Sequence, residues 1–319
     1  MLKNSLVTLT LVLFLFAGCG LSQTDHHVYV LNKQAASMSI INASSLEVEA
    51  TIAVGAQPHE LAVLPGGDKA YVANVGDNSL SVVDLALQQE TKTIATPDFS
   101  FPHGIAFTPD ARIAVVTSER AQKIVIIDAE RDAVLRSIDT PEEGAHMVVI
   151  DRTGRWAYFS NRDSNTVSVM DLNDYSLVAA IPVGDGAEAI ALSPDGKYVW
   201  TGDRRANTVT IVDTESRRVV AQVPAGDSPV RAAFSPDGTR VYIPNSASDD
   251  VWVYDAASHD RVKTIPVGAN PGGVVFSEDG TKAYVASAGE SAVYIIDTVT
   301  LEVSGKVGVG RGPDGITYR

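Results

Sequence analysis

Three histidines stand where chemistry is easiest to imagine. His59, His103 and His146 each open a short apolar run just after a glycine- or proline-bearing loop. Continuing the same spacing leads to Glu188, Val230, Gly272 and Asp314, with steps of 44, 43, 42, 42, 42 and 42 residues. Of the six histidines in the chain, three therefore share one recurring position. Two carboxylates, Glu188 and Asp314, flank them in the same series. Neutral imidazole nitrogens with carboxylate oxygens suit Zn, Fe, Mn or Cu. With one coordination position left open, such an ion activates water or polarises a carbonyl. A row of imidazoles also suits a haem or a quinone cofactor, and the plainest alternative is a polar lining that binds only water.

Bringing residues more than forty positions apart to one place requires a repeated element. The clearest copy is PVGDGAEAIALSPDGKYVWTGDRRANTVTIVD, residues 182–213. It reads as a glycine loop, a strand at 190–192, an SPDG turn, a second strand from Tyr198, a polar loop and an alternating third strand at 208–212. The third strand ends on Asn42, Asp84, Asp128, Asp171, Asp213, Asp255 and Asp297 in successive copies. Seven units of about four short strands predict an all-β, seven-bladed β-propeller, because one such sheet cannot bury both faces alone. The first copy, HHVYVLN (26–32), starts at the second strand, and the missing first strand is GPDGITYR (312–319). The C-terminal strand is thus expected to close the ring inside blade one.

In that architecture the innermost strands line a central channel, so the histidine series gathers at one mouth. The loops after the second strands share that face and carry Asn32, Asn74, Asp77, Glu119, Arg120, Asn161, Arg162, Asp203, Arg204, Arg205 and Asn245. Arg120, Arg162 and Arg204 are read as one row, and Arg231 lies one residue past the channel position. Their guanidinium groups are candidates to clamp a small anionic ligand. The Asn residues are read as backbone-driven turn residues. Turns of the opposite face repeat almost unchanged, as SPDG or SEDG, which serves geometry. Trp156, Trp200 and Trp252 are expected to pack between blades, and His259, in ASHD, to be exposed and idle.

The second strand and its loop, AYVANVGDNSLSVVD (70–84), AYFSNRDSNTVSVMD (157–171), VYIPNSASDDVWVYD (241–255) and AYVASAGESAVYIID (283–297), resemble the YVTN family of β-propellers. IAVGAQP, IPVGDGA and IPVGANP match its preceding loops, and the resemblance spans roughly residues 27–319. It implies the propeller fold. For function it implies only a range: binding proteins, haem-carrying propellers and lactonase-like enzymes.

Residues 1–18 read as a secretory signal: Lys3, then the apolar run 6–18. FAGC (16–19) resembles a bacterial lipobox, which implies lipidation of Cys19, a short tether over 19–26 and, with Gly20 following, the outer membrane of a Gram-negative cell. Cys19 is the sole cysteine, so the propeller has no disulfide, thiolate site or covalent haem motif. The net charge of −14 is spread along the chain without a basic patch, which argues against nucleic acid. Contact with a membrane is expected through the lipid only, and the propeller is expected to be a monomer. No nucleophile elbow, HExxH, Walker or dinucleotide motif is present. Two readings stand: a tethered ligand-binding or scaffold propeller with a metal or cofactor at the mouth, and a metal-dependent lactonase- or lyase-like enzyme.

Overall fold

A computed structural model describes residues 26–319; the apolar run 6–18 and Cys19 lie outside the described residues. Twenty-eight strands there form seven four-stranded antiparallel sheets, the blades of a propeller. Blade one takes its inner strand, Pro313–Tyr318, from the C-terminus, where it pairs with His27–Asn32. The ring closes as the sequence predicts. His27 and Arg319 exchange backbone hydrogen bonds of 2.6 and 2.9 Å at the seam.

Burial explains the pattern of each unit. Second and third strands are buried on both faces between neighbouring blades, so they read as nearly continuous apolar runs. Fourth strands such as Gln89–Ala95 form the wet rim and are mostly exposed. The core is accordingly a set of wedges, each shared by two adjacent blades. An aromatic pair recurs across these wedges: Tyr71 with Phe107 and Tyr242 with Phe276, ring centroids 4.9 Å apart in both. Trp200 and Phe234 repeat it at 5.8 Å. Of the three tryptophans only Trp200 is fully buried. Trp156 lies between the Arg155 and Arg217 guanidiniums, and Trp252 under Arg261. His259 is not idle: its ring meets Trp200 edge-on at 5.5 Å, and its backbone holds a left-handed turn at φ 64°.

The repeated polar residues are structural. Asp84, Asp128 and Asp255 accept backbone N–H bonds from the residues of the turn that follows. The loop asparagines are buried: Asn74 donates to Ser79 and Ser81, and Asn32 to Ser37 and Ser39. The glycine of each VG loop is explained by the same residue. A Cβ on Gly55 would fall 2.4 Å from the Asn74 side chain, and one on Gly310 would fall 2.5 Å from Asn32. The glycine is there to make room.

The channel wall is uneven. Five inner strands run six residues each: Pro271–Phe276, Pro313–Tyr318, Pro58–Val63, Pro102–Phe107 and Ala145–Ile150. In blades five and six they shrink to Ala191–Leu192 and Ala233–Phe234, each preceded by an isolated bridge.

Candidate functional site

The three histidines sit at irregularities in the ladder between inner and second strands. In blade three the register shifts between Pro102 and Ile105, and in blade four between Ala145 and Val148. Such bulges re-aim the side chain. The N–H groups they free are met by hydroxyls: Gly104 N–H donates to Thr117 Oγ1 at 2.8 Å, and Met147 N–H to Ser160 Oγ at 3.1 Å. Each hydroxyl then donates onward to the next blade, Thr117 to the His146 carbonyl and Ser160 to the Glu188 carbonyl. Blades three, four and five are thereby stitched together at the mouth.

The rings meet. Centroids of His59 and His103 lie 4.1 Å apart, and those of His103 and His146 lie 3.6 Å apart. The His103 side chain is fully buried, and both its nitrogens lack a hydrogen-bond partner. His146, 2% exposed, donates from Nδ1 to Glu119 at 2.8 Å, which leaves Nε2 with its lone pair and no partner. Burial lowers the pKa of all three: His59 to about 4, His103 and His146 well below their ordinary value. They are neutral imidazoles at neutral pH, the form that binds metals. The donor set suits a single ion.

Carboxylates surround the rings in two groups. His103, Glu119 and His146 place one donor atom each within 4.8 Å of one another, and so do His59, Glu60 and Asp314. Glu188 lies 3.8 Å from His146 Nε2, and Asp314 3.2 Å from His59 Nδ1 but out of hydrogen-bond alignment. Every carboxylate has a cation: Arg162 on Glu119 at 2.6 Å, Arg204 on Glu188 at 3.0 Å, Lys33 on Asp314 at 3.4 Å and Arg231 on Glu60. Burial raises Glu60 to about 7 against the pull of Arg231, and burial also raises Glu119. Burial works against the charge of Asp314, but His59, Arg231 and Lys33 outweigh it and hold its carboxyl low.

The arginine row requires correction. Backbone bonds from Glu119, Arg162 and Arg204 to Phe101, Gly144 and Gly186 place these three in one position of successive blades. Arg120 stands one residue further on, with its guanidinium over the Phe101 ring at 4.4 Å. Counting back in steps of 42 fails because the second strands of blades three and four end 43 residues apart, at Ser118 and Asn161. Arg162, Arg204 and Arg231 are engaged with carboxylates, which leaves fewer free cations for an anion than the sequence suggested. Glu60 was missed altogether. It occupies the position after the histidine series, where Arg231 is the only other charged residue, and that pairing of opposite signs was the available signal.

A cavity of about 630 Å³ opens beside the mouth between Lys33, Gln34, Gln57, Asn270 and Asp314. A larger one, about 900 Å³, lies where the chain ends meet, with His26 stacked on Tyr318 at 5.4 Å. No donor cluster lines it among the described residues.

A family model described as lactonase, 7-bladed β-propeller, matches residues 20–265. Among solved structures, the chain is similar to Kuenenia stuttgartiensis hydrazine synthase at 26% identity, over 85% of this chain and 92% of that one, with a TM-score of 0.78. It is also similar to a functionally unknown protein from Desulfotomaculum acetoxidans DSM 771, at 17% identity over 92% and 98% of the two chains, with a TM-score of 0.79, which shows the fold alone. No curated protein matches it.

Proposed function

The chain belongs to the lactonase family of seven-bladed β-propellers, and within it we propose a lipid-anchored, exported binding propeller whose channel mouth holds one divalent transition metal. The observation that carries this reading is His103, an imidazole fully buried with both nitrogens unpaired. Leaving a buried polar atom without a partner costs about 1–3 kcal/mol. An ion on one His103 nitrogen and on His146 Nε2 relieves both of those atoms, while Glu119 orients His146 through Nδ1. Arg162 then steadies Glu119 from behind, while His59, Glu188 and Asp314 complete the polar surround. The 630 Å³ cavity beside Asp314, with Lys33 in its wall, is where this reading seats a small polar ligand.

The test is a metal titration followed by thermal melting. Zn, Mn or Cu is expected to raise the melting temperature of the chain by mass action. His103→Ala should abolish the rise, whereas His259→Ala should keep it relative to its own metal-free melt. Absence of any rise, with no metal in the purified protein, would leave only a polar mouth. Family membership favours a second reading, in which the metal centre activates water to open a lactone. Release of acid from simple lactones by the metal-loaded chain, absent in His103→Ala, would separate enzyme from binder. The proposed anchor is tested by Cys19→Ser, which should move the protein from the membrane to the soluble exported fraction.

A further inference from the structure

The geometry points to a second cation position next to the first, formed by His59, Glu60 and Asp314, and we infer that this chain fills it with its own guanidinium, Arg231. The group offers three donor atoms within 4.8 Å: one imidazole nitrogen and two carboxylate oxygens. His59 Nδ1 lies 3.2 Å from Asp314 Oδ2 and 3.9 Å from Glu60 Oε1, is shut off from solvent, and has no hydrogen-bond partner. Donors of that kind converging on one point describe a harder ion site than its neighbour, with two carboxylates to one imidazole. Two carboxyl groups this close and this buried cannot both be ionised without a cation between them.

Arg231 provides the compensation from across the channel. It belongs to blade six, whereas Glu60 belongs to blade two, and its NH2 bonds Glu60 while lying 3.7 Å from Asp314 Oδ1. A guanidinium carries its charge permanently and has donors only. Its NH2 is taken up by the two carboxylates and no donor reaches His59 Nδ1, so that nitrogen stays unpaired. An ion would satisfy all three at once. Lys33, about one-third exposed, shares Asp314 and can leave toward the cavity; the nearly buried Arg231 cannot. Only Arg231 therefore separates a one-ion mouth from a two-ion mouth, and it makes the channel selective for a single metal in the neighbouring group.

The inference leans on the single-metal reading only for the neighbouring ion, and the experiment separates the two. The EDTA-stripped full chain is dialysed against Mn²⁺ and bound metal is counted. Wild type is expected to hold one equivalent, Arg231→Met two, and Arg231→Met with Glu60→Gln one. Arg231→Met should melt lower than wild type without metal and recover with Mn²⁺. Arg231→Lys retains a cation and hence the fold, and should take the second equivalent at least tenfold more weakly than Arg231→Met. Should both Arg231 variants bind no more Mn²⁺ than wild type, the second position does not exist. If wild type binds none while Arg231→Met binds one that Glu60→Gln removes, the inference stands and the single-metal reading falls.

Discussion

Two arcs of the channel wall obey different rules. In blades seven, one, two, three and four the inner strands run six residues and press backbone on backbone. A Cβ on Gly104 would fall 2.7 Å from the His146 carbonyl, one on Gly273 2.5 Å from that of Asp314, and one on Gly315 2.4 Å from that of His59. In blades five and six the strands are two residues long and the wall is built from side chains that reach inward, Glu188 and Arg231. The tight arc desolvates the imidazoles and sets Glu60, Glu119 and Asp314 beside them, and the loose arc adds Glu188 and Arg231, long enough to reach across. A site of this kind needs both. Seven identical blades would give a symmetric channel in which no residue could be more buried than its six counterparts.

Removing the last strand should break the contrast most severely. Deleting residues 313–319 strips the inner strand of blade one from between its neighbours and exposes the Val28–Asn32 edge. The expected loss exceeds the roughly 5–15 kcal/mol that holds a domain together, so a calorimetric scan should show no cooperative melt. A transition at the full-length temperature would contradict the closure. Next comes the tight packing. Gly104→Ala forces a methyl into the backbone of blade four and is expected to cost about 2–4 kcal/mol, whereas Ala189→Gly on the loose arc should cost about 1 kcal/mol. Equal urea midpoints for the two would erase the distinction between arcs.

Acidification should act most mildly. Unfolded imidazoles take up protons near pH 6.5, whereas His59 does so near pH 4, and burial holds His103 and His146 well below their ordinary value too. Across that window the unfolded chain binds more protons, so stability is expected to fall as pH drops from about 6.5 toward 4. Glu60 works the opposite way. Its carboxyl, held up to about 7, retains a proton in the folded state and gives up stability as pH rises from about 4.5. Three imidazoles outweigh Glu60 and the raised Glu119, so urea midpoints should decline with acid, and less steeply in His103→Gln.

The fold and the histidine mouth were legible because both depend on counting. A step of 42 to 44 residues puts His59, His103 and His146 in one position of successive units whatever the channel looks like, and the split first copy announces its own closure. What could not be counted was missed. One extra residue between blades three and four moved Arg120 out of its row and hid Glu119 in it. Contact between Glu60 and Arg231 depends on how narrow the channel is, which follows from Gly104, Gly273 and Gly315 acting together. Width is a property of the assembled ring, and no single blade encodes it. His259 was misjudged for a related reason: its turn says exposed, while its neighbour across the wedge is Trp200.

The seam at His27 and Arg319 also sets a clock. Six blades are made of consecutive residues and can form as soon as their own stretch of chain is available. Blade one cannot, because its inner strand, Pro313–Tyr318, is separated from its other three by the six intervening blades. Bringing the two ends together closes a loop of nearly the whole chain, at an entropic cost of about 5 kcal/mol. His59 shares its donor group with Asp314 of that strand, so this half of the mouth comes into being only when the ring closes. A chain arrested a few residues short of Arg319 would hold six finished blades and an open ring, with a sheet edge still seeking a partner.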